Sequence, residues 1–243
     1  MTAAVRILLL QVRDYHDPMR IQEVECFARA LDCEIDRVRT LDLLSEGLSL
    51  PALRRVDVVL IGGSGDYSVV AGGPWLSWAL DAMRLLYDHA KPTFASCWGF
   101  QALARALGGE VVTDLSRAEL GTHQLHLTTA GCLDPVFGIV EDAFPAQFGH
   151  QDIVDRLPPD ATLLASTRGV ANQAFRFQNK PIYATQFHPE LTRSALLQRV
   201  ECYPEYVQAI AGVTFEEFAT AVEETPGAMR LLPRFVQHVF AES

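Results

Sequence analysis

The sequence predicts an α/β protein with a doubly wound, mostly parallel central sheet and helices on both faces. Short apolar runs alternate with longer stretches of helical period, as in βαβ units. Of the 243 residues, 49% are hydrophobic, which is enough to build one large core. We expect a single domain over residues 1–243, with a core at about 5–200 and a helical C-terminal extension at about 203–243.

Five runs are the clearest strand candidates, because each is short, apolar and followed by polar or glycine residues. They cover residues 5–12, 56–62, 92–96, 173–178 and 181–187. Since apolar runs that do not alternate with polar residues are typical of strands covered on both faces, these runs favour a mainly parallel sheet.

Helical period separates these strands. In residues 19–31 the apolar side chains recur three or four positions apart, which predicts the buried face of a helix. That face would contain Ile21, Val24, Phe27, Ala28 and Leu31. Residues 75–90 predict a second helix. A third is predicted to begin at Phe100 and to end at the glycine pair 108–109.

The middle and the end of the chain have different patterns. Residues 110–150 contain short β-branched pieces separated by Gly, Asp and Pro, and they predict a small antiparallel excursion on the main sheet. After residue 190 the pattern becomes helical, over residues 194–210, 214–224 and 228–241. We expect this helical tail to pack on the domain.

Composition excludes several classes of function. A formal net charge of −10 lacks the basic surface that binds nucleic acid or an anionic membrane, and no apolar run reaches the roughly 18 residues of a membrane span. The five cysteines form neither a disulfide framework nor a metal-binding pattern. We therefore expect a cytoplasmic protein that acts on a small molecule, without metal or cofactor, and contacts neither nucleic acid nor membrane.

Cys97 is the first candidate for chemistry. It lies where an apolar strand passes at once into a helix, with Gly99 two positions later, and this pattern predicts a nucleophile elbow. The first amides of such a helix and its dipole favour a thiolate. A lone cysteine is more often a packing residue, and an elbow alone leaves several hydrolase and redox families open.

His188 and Glu190 supply the groups that a cysteine nucleophile needs. They stand at the end of an apolar strand, in the sequence QFHPE, and Pro189 keeps the preceding residue extended. A thiol needs a base within hydrogen-bonding reach, and that imidazole needs a third group to orient it. Cys97, His188 and Glu190 are therefore predicted to be catalytic.

Two motifs together resemble the class I glutamine amidotransferases. SCWGFQ and QFHPE have the order, strand context and spacing of that family's nucleophile and His-Pro-Glu segments, and the resemblance covers residues 5–200. Phe100 replaces a common histidine of the C-x-G-H-Q motif. The pair of motifs is far more specific than either alone.

The resemblance implies further site residues. The glycine-rich loop LIGGSGDYS is similar to the family's oxyanion loop, which implies that the amides of Gly63 and Trp98 hold the oxyanion and that Gly65 lines the substrate site. Gln101 is expected to contact the α-carboxylate or amine of glutamine. QFGHQDIV partly matches the family's S-H-G-D-x-V segment and adds Gly149 and His150 to the expected substrate site.

Family resemblance implies which bond is broken but leaves the fate of the nitrogen open. One reading is a glutaminase that forms a γ-glutamyl thioester and passes ammonia to a separate synthetase subunit. Another is a stand-alone γ-glutamyl hydrolase or peptidase. A third is a catalytically silent binding or regulatory module, which the intact set of three catalytic residues disfavours.

Overall fold

A nine-stranded sheet forms the centre of the protein in the computed structural model, which describes residues 5–241. The strands of the chain are β1 Ile7–Val12, β2 Val38–Asp42, β3 Val58–Ser64, β4 Thr93–Ser96, β5 Glu110–Thr113, β6 Glu119–Leu127, β7 Ala143–His150, β8 Asp152–Arg156, β9 Ala161–Ser166, β10 Ala174–Phe177 and β11 Ile182–Thr185. Their order in the large sheet is β2-β1-β3-β4-β11-β10-β9-β6-β7. The predicted strands all occur, with ends shifted by one or two residues.

One half of the large sheet is parallel and the other half is antiparallel. β2, β1, β3, β4 and β11 run parallel. β10, β9, β6 and β7 continue the sheet with antiparallel pairing. The carboxyl ends of the parallel strands meet at one edge of the sheet, where open α/β sheets bind their ligands.

The predicted antiparallel excursion divides between two sheets. β6 and β7 extend the main sheet, as expected. β5 instead pairs with β8 in a separate two-stranded sheet, with Val112 opposite Ile153. The alternating pattern predicted that these strands form but not which strands they pair with, because pairing depends on segments that are distant in the chain.

Helices cover both faces of the main sheet. They are α1 Met19–Ala30, α2 Leu50–Leu53, α3 Leu76–Asp88, α4 Trp98–Ala106, α5 Thr129–Cys132, α6 Arg193–Cys202, α7 Pro204–Tyr206, α8 Phe215–Ala221, α9 Pro226–Met229 and α10 Leu231–Ala241. A π-helical turn over Val207–Ala211 follows α7. Short 3₁₀ turns at Ile35–Arg37, Leu115–Arg117 and Phe137–Ile139 complete the regular structure.

Alternate residues of β1 face two different apolar cores, one on each side of the sheet. Leu8 and Leu10 pack on the side of α3 and α4, whereas Leu9 packs with Phe27 of α1 and Phe235 of α10. Burying one such side chain stabilises the fold by about 1.5–3 kcal/mol. Both faces of the sheet are therefore covered, and the prediction of a doubly wound α/β fold is confirmed.

The buried face of α1 differs from the predicted one. Phe27 and Ala28 are buried as expected, but Ile21 is 64% exposed. Gln22 and Glu23 are buried in its place, at 4% and 0% exposure. The buried face was predicted from the polarity of the side chains alone. Gln22 and Glu23 are buried nevertheless, because they have buried polar partners in other elements.

The C-terminal segment is helical and packs on the domain. Leu196 and Val200 of α6 form a third apolar cluster with Cys26 and Phe218. α10 covers the second core through Phe235, whose ring lies 5.4 Å from that of Phe94. Over residues 5–241, no helix is both long and apolar enough to cross a membrane.

Candidate active site

Cys97 occupies a sharp turn between β4 and α4. Its φ of 52° and ψ of −103° lie outside the regions that L-residues favour. Such a conformation costs about 1–3 kcal/mol and persists only where the surroundings impose it. α4 begins at Trp98, two residues before the predicted start at Phe100, because the turn needs no linker residue.

Gly99 allows the helix to approach the sheet. A Cβ atom at this position would lie 2.7 Å from Cγ2 of Ile61 and 3.0 Å from Cβ of Ala95. Both neighbours belong to packed strands that cannot yield, so a side chain at Gly99 would push α4 away from the sheet. The first helical amides would then move with it.

His188 and Glu190 form a buried pair directly after β11. Nδ1 of His188 donates to Oε1 of Glu190 over 2.7 Å, and the two residues are 3% and 0% exposed. The backbone amide of His188 donates to the carbonyl of Gln147 at 2.9 Å. The ring is thus fixed at one nitrogen, and its other nitrogen is left for Cys97.

Electrostatics favours the charged form of both members of this pair. Burial opposes the charge on His188, but Glu190 and Cys97 outweigh it and raise the pKa of His188 to about 9. Burial raises the pKa of Glu190, but His188 and Arg199 lower it by more, so that the net shift is downward. The ring is therefore protonated at neutral pH, and an imidazolium stabilises a thiolate beside it.

Gly63 lies next to both reacting side chains. An ideal Cβ at Gly63 would stand 3.1 Å from Cε1 of His188 and 3.7 Å from Cβ of Cys97. Trp98 is the first residue of α4, and the first four amides of a helix have no acceptor within the helix. The two expected oxyanion donors thus lie on two different elements that meet at the cysteine.

A pocket opens above Cys97. Its lining includes all four residues that the sequence proposed for substrate contact, which are Gly65, Gln101, Gly149 and His150. Sγ of Cys97 lies 3.6 Å from the carbonyl oxygen of Gly149. The structure brings the expected substrate residues and the nucleophile to one cavity. The contact of any of them with a substrate stays a prediction.

Gln101 is held by bonds within the protein. Its side-chain amide group donates to the carbonyl of Asp152 at 2.9 Å and to Oε1 of Gln186 at 3.2 Å. These bonds occupy its donors, so a contact with a substrate falls to its oxygen, which accepts. Of the two expected partners, an amine suits Gln101 better than a carboxylate.

His150 belongs to a second buried histidine–glutamate pair. Its Nε2 lies 3.1 Å from Oε2 of Glu119, and its Nδ1 lies 3.2 Å from the carbonyl oxygen of Asp152. Thr167 donates to the other carboxylate oxygen of Glu119 at 2.6 Å. Both ring nitrogens of His150 are therefore occupied inside the protein.

Phe100 is a core residue rather than a pocket residue. It is 0% exposed, and its ring lies 5.0 Å from that of Phe175. The aromatic side chain in place of the common histidine therefore contributes to packing on the α3 and α4 side of the sheet.

Part of the pocket wall was not predicted from the sequence. Arg199, Tyr203 and Tyr206 line the pocket and come from α6 and the segment that follows it. Arg199 is 8% exposed, and its guanidinium donates to Oε1 of Gln22 at 3.0 and 3.2 Å. The burial of Gln22, which lies on the predicted solvent-facing side of α1, could not be predicted from the local sequence, because its partner Arg199 lies far along the chain.

Comparison with known proteins gives the same family that the motifs at this site resemble. The family model for glutamine amidotransferase class-I matches residues 22–200. This match covers strands β2 to β11, the elbow and the His-Pro-Glu segment. The chain belongs to the class-I glutamine amidotransferase family.

Relatives with curated names include two bacterial glutamine-hydrolyzing GMP synthases. The one from Streptomyces avermitilis is 34% identical over 135 residues, which are 54% of this amidotransferase chain and 25% of the relative. The one from Corynebacterium jeikeium is 32% identical over 168 residues, which are 68% of this chain and 30% of the relative. The chain therefore spans less than a third of the length of these relatives.

Among solved structures, the fold resembles that of a glutamine amidotransferase from Thermotoga maritima. The two structures have a TM-score of 0.76 and 22% sequence identity, and the match covers 97% of this chain and 98% of the other. At this identity the likeness supports the amidotransferase fold.

Proposed function

We propose that this protein hydrolyses the γ-amide of glutamine, with Cys97 as nucleophile, His188 as acid and base, and Glu190 as the group that orients His188. The observation that carries this proposal is the 2.7 Å bond from His188 to Glu190, which fixes the imidazole beside Cys97. A cysteine, a buried base and its carboxylate form the arrangement that activates a thiol for covalent catalysis.

The reaction proceeds in two halves. The thiolate of Cys97 attacks the γ-carbonyl carbon, and the amides of Gly63 and Trp98 donate to the oxyanion that develops. His188 gives its proton to the leaving nitrogen, the C–N bond breaks, and ammonia departs from a γ-glutamyl thioester. His188 then takes a proton from water, the hydroxide adds to the thioester carbonyl carbon, and the C–S bond breaks. Glutamate is released, and the thiolate of Cys97 is restored beside the protonated ring of His188.

The polar groups of the pocket suit the α-substituents of glutamine. Gln101 offers its side-chain oxygen to the α-amino group, because its amide donors are already bonded. Arg199 is the one Lys or Arg side chain on the pocket lining within residues 5–241, and its charge attracts the α-carboxylate. Gly65, Gly149 and His150 complete the substrate site.

Cys97→Ser tests the covalent scheme. We expect the purified variant to release ammonia from glutamine at least about 10³-fold more slowly, since a serine beside the same base is a much weaker nucleophile. A glutamine-mimicking diazo ketone should label wild-type Cys97 stoichiometrically. Ammonia release by the variant at the wild-type rate would contradict the scheme, and an unreactive Cys97 would favour the silent binding module.

The fate of the nitrogen separates two candidate roles. The GMP synthase relatives support delivery of ammonia to a synthetase component, which we propose as a separate partner. The wall formed by Tyr203 and Tyr206 favours a stand-alone γ-glutamyl hydrolase as the second candidate, because it shapes a pocket within this chain. Activation of glutamine hydrolysis by a partner supports the first role, and fast unaided cleavage of γ-glutamyl dipeptides supports the second.

A further inference from the structure

A buried arginine–glutamate ion pair lies beside the oxyanion loop. Arg13 directly follows β1, and Glu23 stands on α1. Nε of Arg13 is 3.4 Å from Oε1 of Glu23, and both side chains are 0% exposed. Charges that are taken out of water lose hydration, and their mutual attraction often does no more than offset this cost. A contribution to fold stability is therefore a weak explanation for the burial of this ion pair.

The pair is in contact with the strand that carries Gly63. Oε1 of Glu23 occupies the space that a side chain at Gly62 would need, only 2.2 Å from an ideal Cβ there. Nη2 of Arg13 lies 3.8 Å from an ideal Cβ of Gly63, the same position that lies close to His188 and Cys97. The ion pair and the reacting groups thus meet at two consecutive glycines.

Further bonds fix the pair from several elements. Gln11 of β1 donates to Oε2 of Glu23 at 3.0 Å. Nη1 of Arg13 donates to Asp17 at 3.0 Å, and the hydroxyl of Tyr203 donates to the same carboxylate oxygen at 2.8 Å. Burial opposes the charge of Arg13, but Glu23, Tyr203 and Asp17 outweigh it and raise its pKa. The guanidinium stays charged and is held in one place.

We propose that Arg13 and Glu23 are positioning residues that fix the backbone of Gly62 and Gly63 for the developing oxyanion. The inference rests on the proposed role of Gly63 as an oxyanion donor. Such a donor acts only if it is aimed before charge develops, and a displacement of about 1 Å can cost about 10²-fold in rate. A carboxylate packed against Gly62 and a guanidinium packed against Gly63 limit that displacement.

Glu23→Gln tests the proposal with a side chain of nearly the same shape. We expect kcat for glutamine to fall about 10- to 100-fold while KM changes by less than about threefold, because the oxyanion exists only in the transition state. Arg13→Lys, which retains the positive charge, should lose less activity than Arg13→Met.

Alkylation of Cys97 by iodoacetamide distinguishes the oxyanion strand from the nucleophile. In this reaction sulfur displaces iodide at a CH₂ carbon, so no oxyanion forms. The rate at Cys97 and its pH profile, followed by mass spectrometry of the Cys97 peptide, should be unchanged in Glu23→Gln. Equal losses in alkylation and hydrolysis would overturn the proposal, since the pair would then act on Cys97 and His188.

Two further variants guard against effects on folding. Asp57→Asn breaks the exposed ion pair of Arg6 and Asp57 at the opposite end of β3, and it should leave kcat unchanged. The double variant Arg13→Met/Glu23→Gln removes both charges, so that neither Arg13 nor Glu23 leaves the other buried without its partner, and it should still lose kcat. A folded Glu23→Gln or double variant with wild-type kcat would refute the proposal.

Failure of the underlying function gives a different result. If wild-type protein and Cys97→Ser release ammonia equally, the proposed reaction is wrong irrespective of Glu23. If Cys97→Ser is inactive and Glu23→Gln is fully active, only the positioning role fails.

Discussion

Two buried histidine–glutamate pairs lie at the same cavity, and they differ in what the second ring nitrogen meets. In the pair of His188 and Glu190, one nitrogen faces the carboxylate and the other is left for Cys97. In the pair of His150 and Glu119, the second nitrogen lies 3.2 Å from the carbonyl of Asp152. The first ring is open to the proposed nucleophile on one side, whereas the second meets protein oxygens on both sides.

This difference shows that a histidine–carboxylate contact is insufficient to identify a base. Glu119 is also held by Thr167 and by Gln173, so that its carboxylate lies at the centre of a structural network. Glu190 has one oxygen on His188, and no hydrogen-bond partner reaches its other oxygen within the described residues. The open pair suits proton transfer, and the closed pair suits a fixed pocket wall.

The largest expected effect comes from comparing His188→Gln with His150→Gln. The first change removes the acid and base, and such groups contribute about 10²- to 10⁴-fold, so we expect kcat to fall about 10³-fold or more. His150→Gln should lower kcat by less than about tenfold, because its ring transfers no proton. Steady-state ammonia release measures both. Equal losses in kcat would remove the distinction between the two pairs.

A smaller effect is expected from Glu190→Gln, which removes the charge that raises the pKa of His188. Loss of this orienting group should lower kcat about 10²-fold. The pKa of His188 should fall from about 9 toward its ordinary value of 6.5. Because the protonated ring serves the leaving nitrogen, the high-pH limb of kcat/KM should move to lower pH. Glu119→Gln is the matched control, and it should leave that limb in place.

The smallest catalytic effect, together with a loss of stability, is expected for Glu119→Gln. Burial opposes the charge of Glu119, but His150 and Thr167 outweigh it and lower its pKa below the ordinary 4.5. A lowered pKa stabilises the fold above pH 4.5, and this contribution is lost as the pH falls through the folded value. Urea denaturation at pH 7 should show a loss of about 1–3 kcal/mol.

The gap in unfolding free energy between wild type and Glu119→Gln should close as the pH falls below 4.5. A gap that stays constant down to pH 3 would show that the loss comes from packing rather than from the charge of Glu119. The activity of the folded variant should remain within about threefold of wild type, since the closed pair transfers no proton.

The elbow and the His-Pro-Glu segment could be predicted because each concentrates its signal in consecutive residues. β4 ends at Ser96, the turn lies at Cys97, and α4 begins at Trp98. His188 and Glu190 are likewise two residues apart, and a proline between them restricts the backbone. Local geometry and chemistry therefore agree in both segments, and the structure places them together.

The rest of the site depends on contacts between residues that are distant in the chain, and the local periodicity of apolar residues does not reveal such contacts. Gln22 and Glu23 follow the rule for an exposed helix face, yet Arg199 and Gly62 contact them in the interior. The edge strand β2 was missed for a related reason, because an edge strand has only one neighbour in the sheet and keeps an exposed, polar sequence.

The wall formed by Tyr203 and Tyr206 has a consequence for how this family diversifies. The family match ends at residue 200, whereas these two tyrosines follow it and still line the pocket. The expected catalytic residues and these two residues of the pocket wall are therefore encoded in separate stretches of the gene. Exchanging the stretch after residue 200 between relatives would be a direct route to retarget an unchanged catalytic centre.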